Sequence, residues 1–154
     1  MEATTLNNIG GAHIALGDRR QALYYFEQSL PLQRQVGNKS GEATVLNNIG
    51  LIYSAFGDMR RSLAYLARSL PLQRQAGDKA GEASTLNNIG LAYDALGDNR
   101  QALEYFEQAL PLFRQMGARR DEAIVLSNIG AVYDALGDQS QALDYYGQAL
   151  PIHR

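Results

Sequence analysis

The sequence predicts an all-α fold: a solenoid of four helix-turn-helix units, with eight antiparallel helices in all. Three observations carry this. LNNIG stands at 6–10, 46–50 and 86–90, with LSNIG at 126–130. LGD stands at 16–18, 96–98 and 136–138, with FGD at 56–58. SLPLQRQ occupies both 29–35 and 69–75, and returns as ALPLFRQ at 109–115 and ALPIHR at 149–154. Every feature recurs after 40 residues without insertion. A period of this size marks stacked units, each too small to bury its own apolar face. The units run approximately 1–38, 39–78, 79–118 and 119–154, forming a single array.

The first helix of each unit is read from an apolar stripe. In the third unit Leu86, Ile89, Gly90, Tyr93 and Leu96 share one face of a 3.6-residue period. Gly17, Gly57, Gly97 and Gly137 end these helices, where a left-handed residue is usually needed. The aspartate that follows, Asp18, Asp58, Asp98 or Asp138, suits the N-cap of the second helix. Gln101 lies three residues beyond Asp98, as in a capping box. Ala102, Leu103, Tyr105, Phe106, Ala109 and Leu110 then form the second stripe. Mid-helix glycines at 10, 50, 90 and 130 each cost about 1 kcal/mol against alanine. Their recurrence predicts close backbone approach between the paired helices.

A proline lies inside every second helix. Either the helix ends at Pro31, or it continues through. Tyr25, Ser29, Leu32 and Val36 keep helical spacing across the proline, as do Tyr65, Ser69, Leu72 and Ala76. Gly37, Gly77 and Gly117 then become the stops, which gives helices of about 18 residues or roughly 27 Å. Pro31 removes one hydrogen bond and frees the carbonyl of Glu27. The polar neighbours Glu27, Gln28, Glu107 and Gln108 mark the proline face as solvated, and a helix bends away from its proline.

Gly90, Tyr93, Gly97, Asp98, Ala102, Tyr105, Phe106, Ala109 and Leu110 sit at the offsets of the tetratricopeptide repeat signature, with Leu86 where that family often has Trp. The chain resembles this family along essentially its whole length. The 40-residue period exceeds the usual 34, and is similar to the long-helix variety in Pins/LGN proteins, kinesin light chains and bacterial signalling arrays. Departures are small: His13 stands for Tyr, Leu66 for Phe, and Ser62 for a packing Ala.

The resemblance implies a right-handed α-solenoid whose first helices line a concave groove. It places Asn7, Asn47, Asn87 and Ser127 toward that groove, with Leu51, Leu91, Ser54, Asp94 and Asp134. An asparagine amide both donates and accepts, so it can pair with a peptide's C=O and N–H together. Packed helices lie about 8–10 Å apart, close to three extended residues at about 3.3 Å each. The adjacent row Asn8, Asn48, Asn88 and Asn128 is complete in all four units. It could serve the same groove, but is assigned first to bonds between units. The lysine and arginine clamp of chaperone-tail-binding relatives is missing, which argues against a C-terminal carboxylate ligand. Asp94 and Asp134 favour a basic or polar segment at that end.

Other chemistry finds little support. Arg34, Arg74, Arg114 and Arg154 form a column that could meet phosphates. With 16 acidic residues against 14 basic, salt bridges at unit boundaries fit better. The tyrosines mostly occupy packing positions. His13 and His153 are the only histidines, and neither belongs to a nucleophile-plus-carboxylate set, so no enzyme is expected. There is no Cys, hence no disulfide or thiolate metal site, and no metal or cofactor is implied. A net charge of −2 gives no reason to expect nucleic acid or an anionic membrane. No apolar run approaches the roughly 20 residues that span a bilayer, and MEATTLNNIG lacks the regions of a signal peptide.

The expected role is a cytoplasmic scaffold that binds an extended peptide or protein segment. The alternative is a structural module stacking head-to-tail through uncapped ends. Met1 aligns with Gly41, inside a first helix, and the chain stops before the next expected glycine. It therefore reads as an excerpt of a longer array or as an engineered one.

Overall fold

A computed structural model describes residues 1–153 as eight helices joined by short turns, with no strand among the described residues. They are α1 (Glu2–Ala15), α2 (Arg19–Gln35), α3 (Lys39–Ala55), α4 (Met59–Ala76), α5 (Lys79–Ala95), α6 (Asn99–Gln115), α7 (Arg119–Ala135) and α8 (Gln139–His153). The fold is an all-α helical repeat array. It divides into two compact units, Met1–Asp78 and Lys79–Arg154, each holding two helical hairpins. In the first unit α1 pairs with α2, α3 with α4, and α2 packs on α3. The second repeats this with α5–α6, α7–α8, and α6 on α7.

The turns form as the residue types require. Gly97 takes φ +79°, which an L side chain adopts only at a cost. Its N–H donates to the Asp94 carbonyl and that of Asp98 to the Tyr93 carbonyl, both at 2.9 Å, closing the last turn of α5. Asp98 then caps α6, accepting from the Gln101 N–H at 3.2 Å. Asp18, Asp58 and Asp138 accept equivalently from the N–H groups of Gln21, Arg61 and Gln141. Asn38 does the same for α3, accepting from the Gly41 N–H at 2.9 Å.

The second helices run through their prolines. Pro31, Pro71 and Pro111 lie inside α2, α4 and α6, helices of 17, 18 and 17 residues. Each proline is exposed, as is Glu27, so water can reach the carbonyl that Pro31 leaves without a partner. The expected stripe holds through Ala22, Phe26, Ser29 and Leu30, but beyond the proline Gln33 is the buried residue, Leu32 is half-buried, and Val36 is the C-cap and exposed. Leu96 is likewise an exposed cap residue rather than the end of a core stripe.

Unit 1 closes on Ala22, Phe26, Leu30, Val45, Leu46, Ile49 and Ile52, with Leu23, Tyr53, Tyr65 and Leu72 packed against them. In unit 2 Leu86, Ile89, Phe106, Leu126, Ile129 and Val132 are equally buried. The mid-helix glycines have a more specific role than bringing two backbones together: each seats one side chain of the paired helix. A Cβ on Gly90 would stand 2.6 Å from Phe106 Cε1, and one on Gly10 2.6 Å from Phe26 Cε1. Gly50 and Gly130 seat Leu66 and Tyr146 in the same way.

Two buried serines each tie the two helices of one hairpin together. Ser29 Oγ donates to the Ala3 carbonyl and Ser69 Oγ to the Ala43 carbonyl, both at 2.7 Å. Ser62 has no such outlet: its Oγ is buried without a hydrogen-bond partner among the described residues. Ala22, Ala102 and Ala142 fill the equivalent buried place in the other hairpins. Stranding a hydroxyl costs about 1–3 kcal/mol. Ser62→Ala is therefore expected to stabilise the chain by about 1 kcal/mol in urea denaturation, and a loss of stability would contradict this account.

Candidate peptide-binding face

On each of α3 and α5, positions at spacings of four, three and four form an exposed or half-buried stripe. On α3 these are Thr44, Asn48, Leu51 and Ala55, and on α5 Ser84, Asn88, Leu91 and Ala95. Leu51 and Leu91 are each 42% exposed, in contrast to the buried Ile52 and Ala92 beside them. The stripe thus combines an amide with an aliphatic side chain one turn further on. Asp94 and Asp134 are exposed near the C-terminal ends of α5 and α7, and Asp134 Oδ1 accepts from Gln139 Nε2 at 2.6 Å.

The two asparagine rows are not separate. Asn7, Asn47, Asn87 and Ser127 are half-buried beside the open stripe, and Asn8, Asn48, Asn88 and Asn128 lie on it. In unit 2 they join: Asn128 Nδ2 donates to Asn87 Oδ1 at 3.1 Å, a rung between adjacent first helices. Asn47 and Asn88 are engaged as well. The matching rung in unit 1 is open, because Asn7 Oδ1 is buried with no partner among the described residues. Beside it Ile14, Arg19, Asn48, Leu51, Ile52 and Ala55 line a hollow of about 250 Å³. Sequence reasoning named Asn48 and Leu51 here but missed Ile14 and Arg19. The available signal was Ile14 itself, since Ser54, Asp94 and Asp134 fill the same place in the other units.

The remaining columns are structural. Arg34 Nε donates to Glu42 Oε1 at 2.7 Å and Arg114 Nε to Glu122 Oε1 at 3.0 Å, so both arginines join one hairpin to the next. Arg114 Nη2 also donates to Gln148 Oε1 at 3.3 Å. Arg74 is engaged too, and Arg154 lies outside the described residues. Each hairpin stacks one ring pair: His13 on Tyr25, Tyr53 on Tyr65, Tyr93 on Tyr105 and Tyr133 on Tyr145, with centroids 5.3 to 5.6 Å apart. Among the described residues no three His, Asp or Glu converge to hold a metal ion. None of the described helices is long and apolar enough to cross a membrane.

Burial raises the phenol pKa of Tyr65, Tyr93 and Tyr133 above the usual 10.0, and the stacked tyrosine of each pair adds to the rise. Folding therefore opposes ionisation. The stability these groups contribute is complete below pH 10.0 and is lost as pH rises through the higher folded values. Helical circular dichroism is expected to survive to pH 10.0 and then fall as tyrosinate absorbance appears. Ionisation of Tyr65, Tyr93 or Tyr133 in the folded chain with a midpoint at or below that pH would contradict their burial.

The tetratricopeptide repeat family profile matches residues 1–75 and 41–115, and a second tetratricopeptide repeat profile matches 123–154. The chain belongs to the tetratricopeptide repeat family. Comparison with curated proteins found no match. Among solved structures, this tetratricopeptide repeat chain is similar to BtubC (BKLC) from P. vanneervenii, at 25% identity and a TM-score of 0.90, over 98% of this chain and 63% of that one. It is similar to MamA at 18% identity and a TM-score of 0.79, covering 98% of this chain and 78% of MamA. The apo form of RapI matches at 16% identity and a TM-score of 0.90, over 98% of this chain and 42% of RapI. The chain thus spans less than two thirds of the length of BtubC and of RapI. Tetratricopeptide repeats are protein-interaction scaffolds, and the general role of the chain is protein binding.

Proposed function

We propose that this chain is a non-catalytic cytoplasmic scaffold, one array of four hairpins, that holds an extended peptide along the open stripe of its first helices. The supporting observation is the pairing of an amide with a 42%-exposed leucine at the same places on α3 and α5. Amides meet the peptide backbone and leucines its side chains, which demands little of the sequence bound. Asp94 and Asp134 would draw a basic or polar stretch to unit 2, which carries ten acidic residues against six basic. The test selects displayed nonapeptides on the purified chain, then places a photo-crosslinking amino acid at Leu91, at Asn128 or at Glu104. Capture at Leu91 and Asn128 but not at Glu104, on the outer side of α6, is the expected result. Capture at Glu104 alone, or no selected peptide, would end this reading.

A second reading rests on α8. Leu143, Tyr146 and Leu150 are 69%, 37% and 52% exposed, whereas Phe106 and Leu110, the equivalents of the last two in α6, are buried. The first helix of another copy could cover this face head-to-tail. Light scattering over a concentration series tests it, and a strict monomer at high concentration excludes it.

A further inference from the structure

The hollow of unit 1 is chemically unlike its counterpart in unit 2. Where unit 1 has Ile14, Arg19 and Leu51, the same repeat positions in unit 2 hold Asp94, Asn99 and Ala131. The rung also differs, since Asn128 is spent on Asn87 whereas Asn48 has no hydrogen-bond partner among the described residues. Arg19 likewise has no carboxylate partner among the described residues, unlike Arg34 and Arg114, which are both paired. The result is an apolar hollow of about 250 Å³, room for one large side chain, flanked by a free amide and an unneutralised guanidinium. Unit 1 as a whole carries eight Lys and Arg against six Asp and Glu.

We propose that Asn48, Arg19 and this hollow form a subsite for one apolar residue of an extended peptide, with an Asp or Glu next to it in the peptide. The proposal rests on the peptide-scaffold reading above and gives that reading a sequence preference. The apolar side chain enters among Ile14, Leu51, Ile52 and Ala55. The Asn48 amide accepts from the residue's N–H and donates to its C=O, and the neighbouring carboxylate pairs with Arg19. Because three helices supply the parts, only this pair of first helices in unit 1 has them together.

The experiment uses nonapeptides selected by display on the full chain, then synthesised with both termini capped and titrated by fluorescence anisotropy. Selected peptides are expected to share an apolar residue beside Asp or Glu. Arg19→Glu should weaken them about 10-fold, roughly what a charge-assisted contact is worth, and should favour peptides with Lys in place of the acid. Asn48→Ala should weaken both kinds. Arg19 is exposed at the first turn of α2, where Glu suits the helix dipole, so the variant is expected to fold; circular dichroism checks this. Peptides that crosslink at Leu91 yet show no such pair and ignore both substitutions would overturn the subsite while leaving the scaffold reading intact. Binding that requires an uncapped C-terminus would overturn the side-chain carboxylate.

Discussion

Phe106→Ala is expected to lower the stability of the chain by about 4 kcal/mol, the usual cost of emptying a fully buried aromatic site. Phe106 is 0% exposed, and its ring lies against the bare backbone of Gly90 in the facing helix. No side chain on the α5 side at Gly90 can swing into the vacated space, so collapse is limited and the cavity persists. Urea denaturation followed by circular dichroism measures the loss. A change below about 1 kcal/mol would mean that the ring is not held as described.

Gly90→Leu approaches the same contact from the other side. Its Cβ alone would stand 2.6 and 2.7 Å from two carbons of the Phe106 ring, closer than real Cβ contacts come. The ring is enclosed and cannot retreat, so overpacking should cost about 3 kcal/mol, well beyond the about 1 kcal/mol gained in helix propensity. The two substitutions are expected to be strongly non-additive. In a Phe106→Ala background the leucine has room, and the double variant should be more stable than the sum of the single losses predicts. Gly11 provides the contrast. A Cβ there meets nothing within 4 Å, so Gly11→Ala should stabilise by about 1 kcal/mol. Additive losses at Gly90 and Phe106, or destabilisation at Gly11, would contradict the packing.

What was legible in the sequence follows from what is local. A glycine that must take positive φ and an aspartate that caps the next helix act within a few residues, so Gly97 and Asp98 located their turn from sequence alone. The passage of α2 through Pro31 was legible for a similar reason: helical spacing continued and Gly37 supplied a later stop. The stripes misled only at their ends. Val36 and Leu96 keep helical spacing but are caps, where the chain leaves the helix and the period no longer points inward. The candidate site was read less fully. Asn7 and Asn8 are sequence neighbours on one helix, and which of them meets the next first helix depends on helix-helix packing. That packing closes Asn87–Asn128 and leaves Asn7 Oδ1 without a partner among the described residues, though all are asparagines in the same motif. The hollow beside Asn48 needed Ile14 from α1 and Arg19 from α2, a meeting of three helices that no single stripe displays.

The ring pairs have one further consequence. The chain contains nine tyrosines and no tryptophan, and six of those tyrosines stack in parallel pairs within α3–α4, α5–α6 and α7–α8. Coupled chromophores held at fixed angles in a chiral frame give a stronger near-ultraviolet dichroism band than freely rotating tyrosine. The protein thus carries its own unlabelled optical gauge, and Tyr→Phe changes in two of the three pairs would leave it reporting on the remaining hairpin.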